Sequence, residues 1–112
     1  MQVLDNEYHS DGANPTHRAG ANYDLHVPLF NAANPVGEYN KVRIIVNKGL
    51  VQYWLNGYKV VEYTLWNEEW KKLVAASKFK EMPAYGIDHK GHIALQDHGD
   101  LVWYRNIKIR EL

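Results

Sequence analysis

The stretch that most constrains the fold runs from Lys41 to Thr64. Val42, Ile44 and Val46 point to one side of an extended chain while Arg43, Ile45 and Asn47 point to the other, the period-two pattern of a strand covered mainly on one face. Lys48-Gly49 turns the chain, Leu50 to Leu55 (LVQYWL) forms the next strand, Asn56-Gly57 supplies a two-residue hairpin turn, and Tyr58 to Thr64 (YKVVEYT) returns. Alternation, β-branched content and turn chemistry agree, so 41–64 reads as an antiparallel meander.

The period changes after that. Trp66, Trp70, Leu73 and Val74 recur at helical spacing, Asn67 is placed to cap, and Glu68 and Glu69 precede Lys71 and Lys72 in the order the helix dipole favours, which predicts a short surface helix within 66–76. Pro83, Gly86 and Asp88 make 78–90 a linker. His92 to His98 and Leu101 to Ile109 read as two further strands about Gly99-Asp100, joined either as a hairpin or across two sheets. Toward the amino terminus, Gln2 to Asp5 is extended in character, residues 5–22 form a long loop rich in Asn, Asp, Gly and His, and Tyr23-Asp24-Leu25 looks like a short strand. A structureless loop of that length is uncommon in a compact domain unless it has a task. The sum is about seven strands and one helix with no crossover helix between parallel partners, so the expected fold class is an all-β antiparallel β-sandwich.

Composition narrows the function. The 112 residues allow one domain, and 13 Lys and Arg balance 13 Asp and Glu, so no net field recruits nucleic acid or an anionic membrane. No apolar run is long enough to span a bilayer and the amino terminus lacks the pattern of a signal peptide, so the chain reads as soluble, with export of a parent protein to the periplasm or beyond left open. The absence of cysteine removes disulfides and thiolate chemistry. Four Trp, eight Tyr and six His remain, and aromatics at that density serve either strand packing or sugar stacking.

The run Gly91-His92-Ile93-Ala94-Leu95-Gln96-Asp97-His98-Gly99-Asp100, followed by Val102-Trp103-Tyr104-Arg105-Asn106-Ile107, closely resembles the C-terminal signature of the 3-keto-disaccharide hydrolase family. Gln2, Leu4-Asp5 with His9, Gly20 with Tyr23-Asp24, Asn40 with Arg43-Ile44, and Leu55-Asn56-Gly57 are similar too, so the resemblance runs through nearly the whole chain. It implies a concanavalin-like, laminin-G-like jelly roll, of which residues 1–112 are the C-terminal part, acting as a hydrolase or lyase on glycosides oxidised at C3. A full fold of that kind is longer than this chain. The expectation is therefore either a truncated sandwich or a homo-oligomer in which another copy, most simply in a dimer, covers the open sheet.

On a strand from 92 to 98, His92, Ala94, Gln96 and His98 share one face, and Gln, His and Arg groups supply the donors and acceptors that sugar hydroxyls need. A 3-keto sugar has an acidified C2 proton. A general base removes it, a donor stabilises the enolate, and the anomeric group leaves by elimination. His98 or His9 is the candidate base and Arg105 the candidate oxyanion partner, with Asp5, Tyr23, His92, Gln96 and Trp103 as candidate substrate-binding groups. A divalent cation held by His9, Asp5 and His98 is the alternative way to polarise the ketone, although their spacing matches no compact metal motif.

Blander readings stand beside these. His92 and His98 belong equally to a solvated sheet face, Arg105 to an ion pair with Asp97 or Asp5, and Asp5 to local loop organisation. His17, His26 and His89 default to solvent as lone loop histidines, and Trp66 and Trp70 to the buried stripe of the helix. The functional alternative to catalysis is a carbohydrate-binding or structural sandwich that keeps the aromatic wall without a titrating base.

Overall fold

A computed structural model describes residues 1–112, and its centre is a three-stranded antiparallel sheet in the order β1 (Val42–Asn47), β2 (Leu50–Leu55), β3 (Tyr58–Thr64). Both hairpins use turns with two left-handed residues, Lys48 (φ 48°) with Gly49 (φ 87°) and Asn56 (φ 50°) with Gly57 (φ 91°), the geometry whose twist matches that of the strands. The register pairs Val42 with Leu55, Ile44 with Tyr53 and Val46 with Val51, which puts the six side chains on one face. A bulge between Tyr53 and Trp54 shifts the pairing with β3, so that Tyr53 faces Val61 while Trp54 faces Lys59. The valine between them, Val60, is thereby buried together with its neighbour Val61, and a core of Val51, Tyr53, Leu55, Val60 and Val61 forms over β2 and β3.

The N-terminal loop covers this core. Gly20 (φ 89°) lies so close that a methyl group there would press on Val60 and Leu55. Gln2 N–H donates to the Ala21 carbonyl and Gly20 N–H to the Gln2 carbonyl, tying the first residues to the same loop.

Beyond β3, α1 (Glu68–Ala76) starts at Asn67, whose side-chain oxygen accepts from Trp70 N–H at 2.7 Å. Trp70 is buried and continues a stack of rings, His26 on Tyr63 at 4.6 Å, Tyr63 on Trp70 at 5.4 Å and Trp70 on Tyr85 at 6.1 Å between centroids. Burial drives the tyrosine hydroxyls of this stack toward the neutral form. Tyr85 is pushed up to about 12, with further help from the neighbouring Tyr53 and Asp24, and Tyr63 is raised further still by burial and by Tyr53. Burial likewise lowers the proton affinity of His26, against a smaller opposing pull from the Glu69 carboxylate.

The expected all-β sandwich does not form. The molecule is mostly loop, with one short helix, three short 3-10 helices and a single open sheet. Residues 92–98 and 101–109, expected as strands, take no regular structure, and no backbone-to-backbone hydrogen bond involves residues 87–112. The reason is local as well as topological. Gly99 N–H donates to Asp97 Oδ1 at 2.6 Å, closing a side-chain turn where a hairpin ladder would begin, and Asn106 at φ 54° interrupts the extended run beyond it. Alternation makes a segment able to be a strand, but only a partner edge makes it one. Tyr23-Asp24-Leu25 is likewise no strand; Asp24 sits at φ 63° in a tight loop closed by a single bridge between Asn22 and His26.

The consequence is a surplus of exposed surface. The chain exposes 8621 Å², against about 6,300 Å² for a folded monomer of its mass. The surplus is largely apolar: Val42, Ile44 and Val46 on the edge strand β1, then Ile93, Leu95, Leu101, Trp103, Ile107 and Ile109. No helix is long and apolar enough to cross a membrane.

Two outcomes follow for stability. Val60→Ala removes two methyl groups from the one large side chain that is fully enclosed, and is expected to cost about 2 kcal/mol in urea unfolding; a loss below about 0.5 kcal/mol would mean the bulge does not anchor the core. For His26, folding favours the neutral ring, so between its lowered folded value and the ordinary imidazole value the unfolded chain binds more protons. The associated stability is present above that window and lost as pH falls through it. His26→Phe, which keeps the stack, should therefore show a smaller fall in Tm from about pH 7.5 to about pH 5 than the parent chain, and equal falls would contradict the assignment.

Candidate functional site

The long loop 5–22 is ordered by short-range capping. Asp5 Oδ1 accepts from Glu7 and Tyr8 N–H, at 2.9 and 3.2 Å, and so organises the loop. Asn6 spans the loop, accepting from Ala19 N–H at 2.7 Å and donating to Asn31. His9 caps a 3-10 helix (Ser10–Ala13), its Nδ1 accepting from Asp11 N–H at 3.1 Å, and Asn14 caps a second (Pro15–His17). Gly12 is required at the first of these helices, because any side chain would run into the backbone of Asn6.

Asn14, extended between the two 3-10 turns, caps the second, and Asp11 of the first turn and His17 of the second come together. His17 is the centre of the cluster. Its Nδ1 lies 3.6 Å from Asp11 Oδ2 and its Nε2 3.5 Å from Asp24 Oδ1 and 3.2 Å from the Asn14 amide. The ring stacks on Tyr23 at 4.2 Å, and the Lys78 ammonium stands over that tyrosine, 4.1 Å from its centroid. Asp24 is itself held by Lys78 N–H at 2.9 Å.

His98 reaches this cluster from the other end of the sequence. Its ring stands edge-on to His9 at 4.6 Å between centroids, and its Nε2 lies 3.7 Å from the same Asp11 Oδ2 that faces His17. Gln96 makes the approach possible. Gln96 Oε1 accepts from Val3 N–H at 2.9 Å, its Nε2 donates to Gln2 Oε1 at 2.8 Å, and its carbonyl accepts from Tyr104 hydroxyl at 2.6 Å.

Of the residues expected from sequence, the structure thus gathers His9, His98, Tyr23 and Gln96 about the N-terminal loop. Arg105 lies elsewhere, its guanidinium 3.7 Å from the centroid of the Tyr39 ring, with no ion pair to Asp97 or Asp5. His92 and Trp103 are exposed and form no hydrogen bond. Asp11, His17 and Asp24 were not expected; the signal for the first two was their spacing, three residues either side of Asn14. His17 is a site residue and not a solvent-facing one, at 16% side-chain exposure, and His26 and His89 pack on Tyr63 and Trp66. The acidic and imidazole groups do not converge as a metal-ligand set of three or more, and Asp5 is engaged with backbone N–H groups away from that role.

His9, Asp11 and His17 are half-buried and His98 is exposed. Cavities of about 250 and 300 Å³ occur elsewhere, one beside β3 between His26, Leu29 and Lys59, the other between α1 and the segment 79–87.

The comparisons with known proteins agree with one another. Residues 1–110 match the model of the 3-keto-alpha-glucoside-1,2-lyase-like domain. A 3-keto-disaccharide hydrolase of Bacteroides thetaiotaomicron is 39% identical over 99% of this chain, and the chain spans 43% of that relative's length. A crystal structure of a "putative glycosyl hydrolase" from Parabacteroides distasonis superposes with a TM-score of 0.62 at 34% identity, over 66% of this chain and 33% of that one. With a family match across almost every residue and a relative of this identity, the chain belongs to the 3-keto-alpha-glucoside-1,2-lyase-like domain family.

Proposed function

We propose that this chain carries the imidazole half of a site that cleaves 3-keto glycosides, with His98 as the base that takes the C2 proton and His9 beside it. The observation that carries the reading is the meeting of two histidines 89 positions apart, ring against ring at 4.6 Å, beside the half-buried Asp11 carboxylate. Removal of the C2 proton leaves its electron pair in an enolate across C2 and C3. Collapse of the enolate expels the anomeric substituent, and the protonated imidazole returns the proton to solvent or to the departing oxygen. Imidazole suits the step because it takes and returns a proton without large cost near neutral pH.

Arg105, the oxyanion candidate from sequence, lies on the face of Tyr39 apart from the histidine cluster and takes no part in this reading. Trp103 and His92 are free to meet a sugar, whereas Tyr23 acts as a wall behind His17, Gln96 as a clasp on Gln2 and Val3, and Asp5 as the organiser of the loop that carries His9. Polarisation of the ketone by a divalent cation would need ligands from outside this chain, because its own carboxylates and imidazoles are not gathered as a set.

The exposure of His92, His98 and Trp103 favours a second reading, a carbohydrate-binding surface without turnover, and the uncovered strand β1 suggests what completes catalysis. The bare strip of Val42, Ile44 and Val46 is an edge that further strands would cover, whether from the portion of the Bacteroides relative that this chain does not span or from a second copy.

Incubation of the folded protein with a panel of 3-keto glycosides, with and without chelator, tests the proposal. The expected result is release of the aglycone or second sugar, with His98→Ala slower by about 100-fold or more, as for loss of a general base. Chelator-sensitive turnover would assign polarisation of the ketone to a cation. Saturable binding of 3-keto sugars without turnover, in the parent chain and in a form extended to the relatives' full length, would replace the enzyme by the binding surface.

A further inference from the structure

The cavity of about 300 Å³ between α1 and the segment 79–87 is built from both sides. Trp70, Lys71, Val74 and Ala75 line it from the helix, because positions three and four apart share a helical face. Phe79 and Lys80 of the third 3-10 helix (Lys78–Glu81) face them, followed by a turn in which Met82 N–H donates to the Phe79 carbonyl and Tyr85 N–H to the Met82 carbonyl, each at 2.9 Å. Gly86 joins the two walls. At φ 66° it stands so near the Trp70 indole that a methyl group there would fall 2.9 Å from Trp70 Cζ2, and its carbonyl accepts from Trp66 Nε1–H at 2.6 Å. Both indoles are thereby fixed, and the Tyr85 ring lies within 12° of parallel to Trp70 and within 5° of parallel to Phe79.

The polar groups of the lining select the ligand. Sugar hydroxyls need carboxylate and amide partners, and no Asp, Glu, Asn or Gln lines this cavity. The Trp66 N–H is taken by Gly86, and burial keeps the Tyr85 hydroxyl neutral. Two ammonium groups remain, of which Lys71 is held by Glu68 at 2.8 Å while Lys80 forms no ion pair. Lys71, Ala75, Lys80 and Ile87 are exposed, so the cavity opens to solvent with its cations at the rim.

We propose that this cavity binds a small planar aromatic acid, with the ring against Trp70 and Tyr85 and the carboxylate at Lys80. The ring is removed from water between near-parallel aromatic walls, and the carboxylate stays at the rim, where no charge is buried unpaired. The volume stands at the low end of the range of about 300–1,000 Å³ for small-molecule sites, which restricts the ligand to one or two fused rings. The proposal does not rest on the reading of His98 as a base, since no residue of the histidine cluster lines this cavity.

Titration of the full chain with 2-naphthoate, followed by NMR, tests the assignment. Saturable shifts are expected at the Trp66 and Trp70 indole N–H signals and at the amides of 79–87, with Val42, Ile44 and Val46 unmoved. Ala75→Phe, which puts a ring into the cavity from an exposed helix position, should abolish them. Lys80→Met keeps an apolar stem and removes the charge; it should weaken 2-naphthoate about fivefold, as for loss of one exposed ion pair, and leave the affinity for the uncharged 2-naphthalenemethanol unchanged. Amide spectra of β2 and β3 report the fold in each variant. Absence of saturation at millimolar 2-naphthoate overturns the site, as do shifts that persist in Ala75→Phe or gather on β1 instead, and equal affinity of the parent chain for the acid and the alcohol overturns the role of Lys80.

Discussion

The arrangement depends on one side-chain amide. Gln96 reaches across 94 positions of sequence to hold Gln2 and Val3, and through its own carbonyl it also receives Tyr104. No backbone pairing holds residues 87–112, so these hydrogen bonds, together with the stack of His89 on Trp66 and of Arg105 on Tyr39, place the C-terminal segment, and the Gln96 bonds are the ones nearest to His98 in sequence. A few such bonds contribute about 1 kcal/mol each, a modest sum against the entropy of an otherwise unpaired segment. The sheet beneath is secure by comparison, with its ladder, its bulge and its enclosed valines.

That contrast explains what the sequence made legible. Lys41 to Thr64 was readable to the residue at its turns because each determinant is local: alternation, then two left-handed residues, then alternation again. The cap of α1 at Asn67 and the inward position of Trp70 were readable for the same reason. Residues 92–109 carry an equally clear alternation, yet they form no strand, because pairing depends on a partner edge that no local pattern can guarantee. Asp97 and Asn106 then settle the backbone in turns of their own. Of the site, His9 and His98 were visible through their chemistry and family pattern. Asp11 and His17 were concealed by a loop that looked structureless and is in fact two 3-10 turns joined at an extended Asn14.

Physically, the molecule has a well-made core under β2 and β3 and an unfinished flank along β1. Its exposed valines and isoleucine continue the face that is closed on the adjacent strand β2. The histidine cluster, in contrast, is assembled entirely from residues of this chain: the His98 ring edge-on to His9, and the Asp11 carboxylate between His98 and His17.

The most direct test of this account is the proximity of the His9 and His98 rings when the clasp is cut. In Gln96→Ala, NMR contacts between the two rings should disappear while hydrogen-exchange protection of β2 and β3 stays at the parent level. Persistence of the ring-to-ring contacts in that variant would contradict the account, for it would mean that the histidines are brought together by something other than the amide at position 96.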